Sequence, residues 1–145
     1  YGNTKQLGER LTSWAGFHIK GTISATVRFG NVIESRGNVF EIWNEEKINN
    51  KPLSITVPEM KRYFIHVDEV LDFVFNVLLE AKSGEIFIPK MKKFDIKKIA
   101  DKISRSQKII GLRQGEKLEE VLLSTDEKKY AVEKKDMWII RPYKK

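Results

Sequence analysis

The sequence contains no cysteine, so it can form neither disulfides nor thiolate metal sites. It has only two histidines, His18 and His66, and they stand far apart. A His-rich metal centre is excluded on that ground, and no carboxylates fall in a metal-loop pattern. No apolar run reaches the ~18 residues that a membrane span needs. No G-x-G-x-x-G stands behind a strand, so the chain shows no dinucleotide loop of its own. No serine sits in a nucleophile-elbow context. No signal segment is visible, and a cytoplasmic location is the expectation.

What is present fits a soluble globular domain. Its 145 residues are 41% hydrophobic and 32% charged, enough for a real core. The net charge is +7, from twenty Lys and seven Arg against 20 acidic residues. Many lysines, such as Lys92, Lys93, Lys97, Lys98 and Lys102, sit on predicted helices and read as a solvated face. A basic balance attracts phosphate, but no nucleic-acid motif accompanies it, and no nucleic-acid partner is expected.

Strand and helix signals alternate, which points to an α/β fold. Residues 1 to 20 read as a helix with an apolar stripe of Leu7, Leu11, Trp14 and Ala15, closed near Gly21. Thr22–Val27 reads as a strand. Glu34–Asn38 is turn-rich, and a helix is expected over Val39–Lys47. Leu53–Val57 and Arg62–Val67 read as short strands. Asp68 is expected to cap the apolar helix that ends at Ser83-Gly84. Glu85–Lys90 reads as a strand, Phe94–Ser104 as an amphipathic helix and Lys108–Leu112 as a strand. Arg113-Gln114-Gly115 is a turn, followed by an expected short helix over Glu116–Leu123. The tail pairs Lys129–Val132 with Met137–Ile140 as a hairpin.

Two groups of residues carry chemistry. Tyr1 and Lys5, four apart on a helix, lie on one face. A cation beside a phenol favours phenolate, so the Tyr can exchange a proton closer to neutral pH. The second group is Arg28, Arg36, Arg62 and Arg113, all at strand ends or in turns. Their planar forks suit a diphosphate, and ligands of open α/β sheets bind at strand ends. The plainer alternative is that each Arg pairs with a carboxylate or a carbonyl. Asn31, after a strand and Gly30, could read a hydroxyl or a phosphate, or simply serve a turn. Arg113–Lys117 would open the expected helix, whose N-terminus suits anions, while Glu116 there would also favour the dipole.

In order, the motifs are YGNTK at 1–5, VRFGNV at 27–32, SRGNV at 35–39, ITVPEMKRYFIHVDE at 55–69, GEIFIPKM at 84–91 and GLRQGEKLEE at 111–120. The chain resembles the C-terminal half of extended short-chain dehydrogenase/reductases acting on nucleotide sugars. Within them it is most similar to the UDP-N-acetylglucosamine 4,6-dehydratase group of capsule and glycan biosynthesis. The resemblance covers most of the chain. It implies a single piece over 1–145 that joins the last part of a Rossmann-like sheet to a small substrate-binding subdomain. The cofactor-binding half is expected upstream of Tyr1, since the chain opens inside a helix.

By that resemblance Tyr1 is the catalytic Tyr and Lys5 its partner. The Tyr takes the proton of the sugar's 4-hydroxyl while hydride passes to NADP (or NAD). Water then leaves across carbons 5 and 6, and the hydride returns to carbon 6. Tyr1, Lys5 and Arg28 would lie on the cofactor side. Asn31, Ser35, Arg36, Arg62, Arg113 and Glu116 would hold the UDP-sugar. Gln114 stands where the group usually has Pro, Glu34 where it often has Gly, and Lys61 where it has Thr or similar. The 145 residues alone are expected to be inactive, and the full-length enzyme a homo-oligomer. A nucleotide-sugar epimerase and a truncated, non-catalytic UDP-sugar-binding module are the alternatives.

Overall fold

The computed structural model describes residues 2–142. The chain begins with α1 (Gly2–His18), β1 (Thr26–Val27), β2 (Asn31–Val32), α2 (Val39–Ile48) and β3 (Leu53–Ile55). It continues through β4 (Lys61–Ile65), α3 (Val67–Glu80), β5 (Ile86–Pro89), β6 (Lys93–Asp95) and α4 (Ile96–Ile103). It closes with β7 (Gln107–Ile109), α5 (Thr125–Lys128), β8 (Ala131–Glu133) and β9 (Met137–Ile140). The chain folds as two compact units. One takes residues up to Phe29 with Glu69–Lys90 and the stretch from Leu122; the other takes Gly30–Asp68 and Met91–Val121.

The first unit holds a four-stranded sheet in the order β1-β5-β9-β8. β1 runs parallel to β5, and β9 is antiparallel to both its neighbours. The hairpin expected at the C-terminal end is present, its two strands paired from Ala131↔Ile140 to Glu133↔Trp138. From α3, Phe73 and Val77 pack with Phe87 and Ile139 to form the core. The opposite face of α3 leaves Leu71, Phe75 and Leu78 exposed. The expected strand over Thr22–Val27 shrinks to its last two residues. Upstream of them, Ser24 accepts the Gly84 N–H at 2.7 Å, and Gly84 has φ +83, outside ladder geometry. No described residue of α1 is buried.

The second unit has a three-stranded sheet, β2-β4-β6, and a two-stranded parallel sheet of β3 and β7. Trp43, Leu53, Ile55, Met60, Ile96 and Ala100 form its core, with α2 and α4 supplying one face each. Trp43 is 1% exposed, and its indole N–H donates to the Ser54 carbonyl at 2.8 Å, as burial of an indole requires. Asn38 caps α2, its side chain accepting from the Phe40 and Glu41 N–H groups.

Three expected elements change. The helix expected from Phe94 starts at Ile96, because Phe94 pairs with Arg62 across β4 and β6. Asp68 lies inside α3 rather than before it; the Val67 N–H donates instead to the Glu34 carboxylate at 3.0 Å. The helix expected over Glu116–Leu123 does not form. The Lys117 and Leu118 carbonyls accept from Arg62, and Leu118 also accepts from the Lys61 N–H. Carbonyls held by β4 are lost to the i→i−4 ladder that a helix needs. The segment touches β4 as a strap instead, through a single bridge of Lys61 to Glu119.

Candidate functional site

Arg62, the second residue of β4, gathers the strap of the second unit around itself. Its side chain is only 12% exposed. Nη1 donates to the Lys61 and Leu118 carbonyls at 2.9 and 3.0 Å, and Nη2 to the Lys117 carbonyl at 2.8 Å. Two carboxylates stand slightly further off, Glu116 at 3.6 Å and Glu120 at 3.5 Å. Glu120 turns its other oxygen to Asn31, whose amide donates at 2.9 Å and also gives a hydrogen bond to the Tyr63 carbonyl at 3.1 Å. Both amide hydrogens of Asn31 are thereby engaged within the protein.

The turn ahead of the strap is closed from both sides. Glu116 N–H donates to the Arg113 carbonyl at 3.0 Å, and the Glu116 carboxylate accepts the Arg113 N–H at 3.1 Å. Gly115 supplies the left-handed residue, φ +80, that this turn uses. The side chain of Arg113 stands exposed at its tip. Beside the strap, Lys93 binds Glu119 at 3.0 Å and lies over the Tyr63 ring. The hydrogen bond from Lys93 holds the Glu119 carboxylate below its usual range.

Gly30 makes the approach of β2 to β4 possible. A Cβ there would fall 2.5 Å from the Tyr63 Cβ and 2.6 Å from its carbonyl oxygen. The glycine of RFGN is thus a contact requirement rather than a conformational one.

In the first unit Arg28 makes a second ionic cluster. Nε and Nη2 bind Glu9 of α1 side-on at 2.8 and 2.6 Å. Nη1 and Nη2 bind Glu127 of α5 end-on at 3.0 and 2.8 Å. Nη1 also donates to the Leu122 carbonyl at 2.8 Å. All five guanidinium N–H groups are engaged. Burial would lower the guanidinium pKa, but the bonds to Glu9 and Glu127 win and raise it.

The structure therefore treats the expected site residues unequally. Asn31, Arg62 and Glu116 come together in the second unit, joined by Glu120. Ser35 donates to the Val32 carbonyl and accepts from Asn38, which makes it a turn residue; Arg36 is exposed in the same turn. Lys5 lies exposed in the second turn of α1, and Tyr1 lies outside the described residues. Every N–H of Arg28 already has a protein acceptor, so the expected contact to a phosphate or cofactor there would require one of those bonds to open. The helix N-terminus expected at Arg113–Lys117 is absent with its helix. Asn31 donates inward, so the expected amide contact to a ligand would require those bonds to open. Sequence reasoning missed Glu9, Glu120 and Glu127. The adjacent acids of GEKLEE, downstream of an arginine-bearing strand, were the available signal for Glu120.

The β1–β5 and β2–β4 parallel pairs, with helices between strands, are the α/β fold of Rossmann-like short-chain dehydrogenase/reductases. A solved structure described as Pen from Bacillus thuringiensis superposes on 97% of this chain with a TM-score of 0.89 and 31% identity, and the match covers 47% of that protein. Residues 1–142 match the family described as polysaccharide biosynthesis protein, and the chain belongs to that family. One relative, an inverting UDP-N-acetylglucosamine 4,6-dehydratase of Campylobacter jejuni, is 34% identical over 98% of this chain and 44% of its own length. Another, uncharacterized membrane protein MJ1061 of Methanocaldococcus jannaschii, is 36% identical over 98% of this chain and 47% of its own length. The chain spans about half the length of these relatives. No helix among the described residues is long and apolar enough to cross a membrane.

Proposed function

We propose that this chain supplies the proton-transfer pair and the UDP-sugar contacts of a nucleotide-sugar 4,6-dehydratase of surface-polysaccharide biosynthesis. UDP-N-acetylglucosamine is the proposed substrate and the cytoplasm the proposed location. The observation that carries this reading is the 113–120 strap. Arg62, Glu116, Glu120 and Asn31 tie it to β4, and Arg113 stands exposed in its turn. A charge fixed on a braced turn suits a diphosphate better than one on a mobile loop.

Lys5 is exposed near the start of α1, which fits a role beside a nicotinamide cofactor and the Tyr1 phenol. Arg28 does not fit the cofactor role, its N–H groups being engaged. When bound, NADP would accept and return the sugar's hydride. The chain's own part is acid–base work. In this reading Lys5 serves as the partner of the phenol, and the Tyr1 oxygen accepts the proton of the sugar's 4-hydroxyl. Arg113 then holds the nucleotide end and fixes the sugar's reach.

Calorimetry with UDP tests the site. Arg113→Ala should weaken binding by about 1.5–3 kcal/mol, the value of a charge-assisted contact. Unchanged affinity would sink the assignment of Arg113. In the full-length protein, Tyr1→Phe should abolish turnover and leave UDP affinity within about twofold, since the phenol acts on the sugar and not on the nucleotide. A 4-keto-6-deoxy product, rather than an inverted hydroxyl, separates the dehydratase from an epimerase.

A further inference from the structure

We infer that Arg28 is a positioning residue: through Glu9 it sets the rotation of α1 about its axis, and so the placement of Lys5. This rests on the reading of Tyr1 and Lys5 as the proton-transfer pair.

The face of α1 that carries Glu9 is the half-buried one, together with Thr12, Ser13 and Gly16. Leu7, Leu11, Trp14 and Phe17 are each more than half exposed, and no residue of α1 is buried. The far end of the helix is located by close backbone approach, since a Cβ on Gly16 would fall 2.4 Å from the Gly84 nitrogen. Glu9 adds a directional constraint on that face. It follows Lys5 by four residues, so both side chains leave the same face, about 6 Å apart along the axis.

The clasp on Glu9 is stiff for three reasons. The guanidinium is planar, and it binds Glu9 along one edge and Glu127 along the next, so neither carboxylate can slide without breaking a pair of bonds. Its fifth N–H is tied to the Leu122 carbonyl. Glu127 is itself fixed, because it forms the capping box of α5 with Ser124. The cluster is mostly shielded from solvent, with side-chain exposures of 20% for Arg28 and 17% for Glu9. Screening is weakest in such a place. Glu9 is thus referenced to the end of β1 and to α5, and Lys5 moves with it.

The test uses the full-length protein and two variants that strike the same guanidinium from different sides. Glu9→Gln removes the charge on α1; Glu127→Gln removes the one on α5. If Arg28 positions Lys5, Glu9→Gln should lower kcat about tenfold with KM within twofold, as a small misplacement of a reacting group does. It should also raise the apparent pKa of the Tyr1 phenol by about one unit, the proposed pairing with Lys5 being weakened. That shift reads out twice, in the acid limb of kcat/KM and in ultraviolet titration of the apo-protein against Tyr1→Phe. Arg28→Lys, which cannot bind both carboxylates side-on and end-on, should reproduce the shift. Glu127→Gln should leave the phenol titration in place.

Equal loss of thermal stability in both Gln variants with no movement of either pH readout would overturn the inference and leave a purely structural clasp. Turnover surviving Tyr1→Phe would instead overturn the proton-transfer reading beneath it. If Tyr1→Phe is dead while Glu9→Gln titrates like wild type, the positioning inference alone fails.

Discussion

Gly30 shows how much one missing methyl group can decide. Its neighbours across the β2–β4 pair are the Cβ and carbonyl of Tyr63, neither of which can swing away as a flexible side-chain tip could. Gly30→Ala should therefore cost about 1–3 kcal/mol as an overpacking change, read as a lower denaturation midpoint. The arginines teach a related lesson. Arg28 and Arg62 are recognisable in the sequence as strand-end arginines, but their partners lie 94–99 and 54–58 residues further on, apart from Glu9, 19 before Arg28, and the carbonyl of Lys61 beside Arg62. Arg62→Ala would free the Lys117 carbonyl, take one of two donors from the Leu118 carbonyl and leave Glu116 and Glu120 without their cation. Hydrogen exchange of the amides over 116–120 should then speed up, with little change at β3 and β7, whose pairing does not involve Arg62. Unaltered protection of the strap would show that Arg62 does not hold it.

At the scale of elements, caps and competing carbonyl acceptors fix where helices stand. α5 has only four residues and no buried side chain, so its persistence depends on the reciprocal bonds of Ser124 and Glu127. Ser124→Ala should destabilise by about 1 kcal/mol and loosen Glu127 along with it. The same carboxylate gives the element a pH dependence. Burial tends to raise the Glu127 pKa, but hydrogen bonds from Arg28 and Ser124 outweigh it and leave the pKa below the ordinary carboxylate value. A folded-state pKa below the unfolded one means stabilisation that is present above the unfolded value. It is lost as the pH falls through the folded one. Denaturant midpoints measured down a pH series should fall on the acid side of the carboxylate range, and Glu127→Gln should flatten part of that fall. The amphipathic run at 116–123 carries an equally helical-looking pattern and makes no helix. Local propensity there is worth a few tenths of a kcal/mol per residue, and Arg62 and the Lys61 N–H outbid it for the same carbonyls.

At the scale of the whole molecule, the described residues form two cores, one in each unit. Trp43 lies in one and Trp138 on β9 of the other, so fluorescence of single-Trp variants can follow each unit. Leu53, 0% exposed beside Trp43, tests the first of these: Leu53→Ala should cost about 2–5 kcal/mol in the transition that Trp43 reports. A shift below that range would mean that the β3–β7 region collapses readily around the cavity.

The sequence by itself determined the α/β class, the turns at Glu34–Asn38 and Arg113-Gln114-Gly115, the C-terminal hairpin, the family and the ordered motifs. These follow from period, turn chemistry and local pattern, all of which act over a few residues. Only the tertiary structure decided what the charged side chains do. Arg28, expected to face a ligand, closes a clasp on α1 and α5; Asn31 and Arg62 brace the strap that carries Arg113; the helix at 116–123 gives way to β4. Each outcome depends on a partner far along the chain. Desolvation makes a half-buried guanidinium or amide take whatever acceptor the fold brings within 3 Å, and no local pattern records which acceptor that will be.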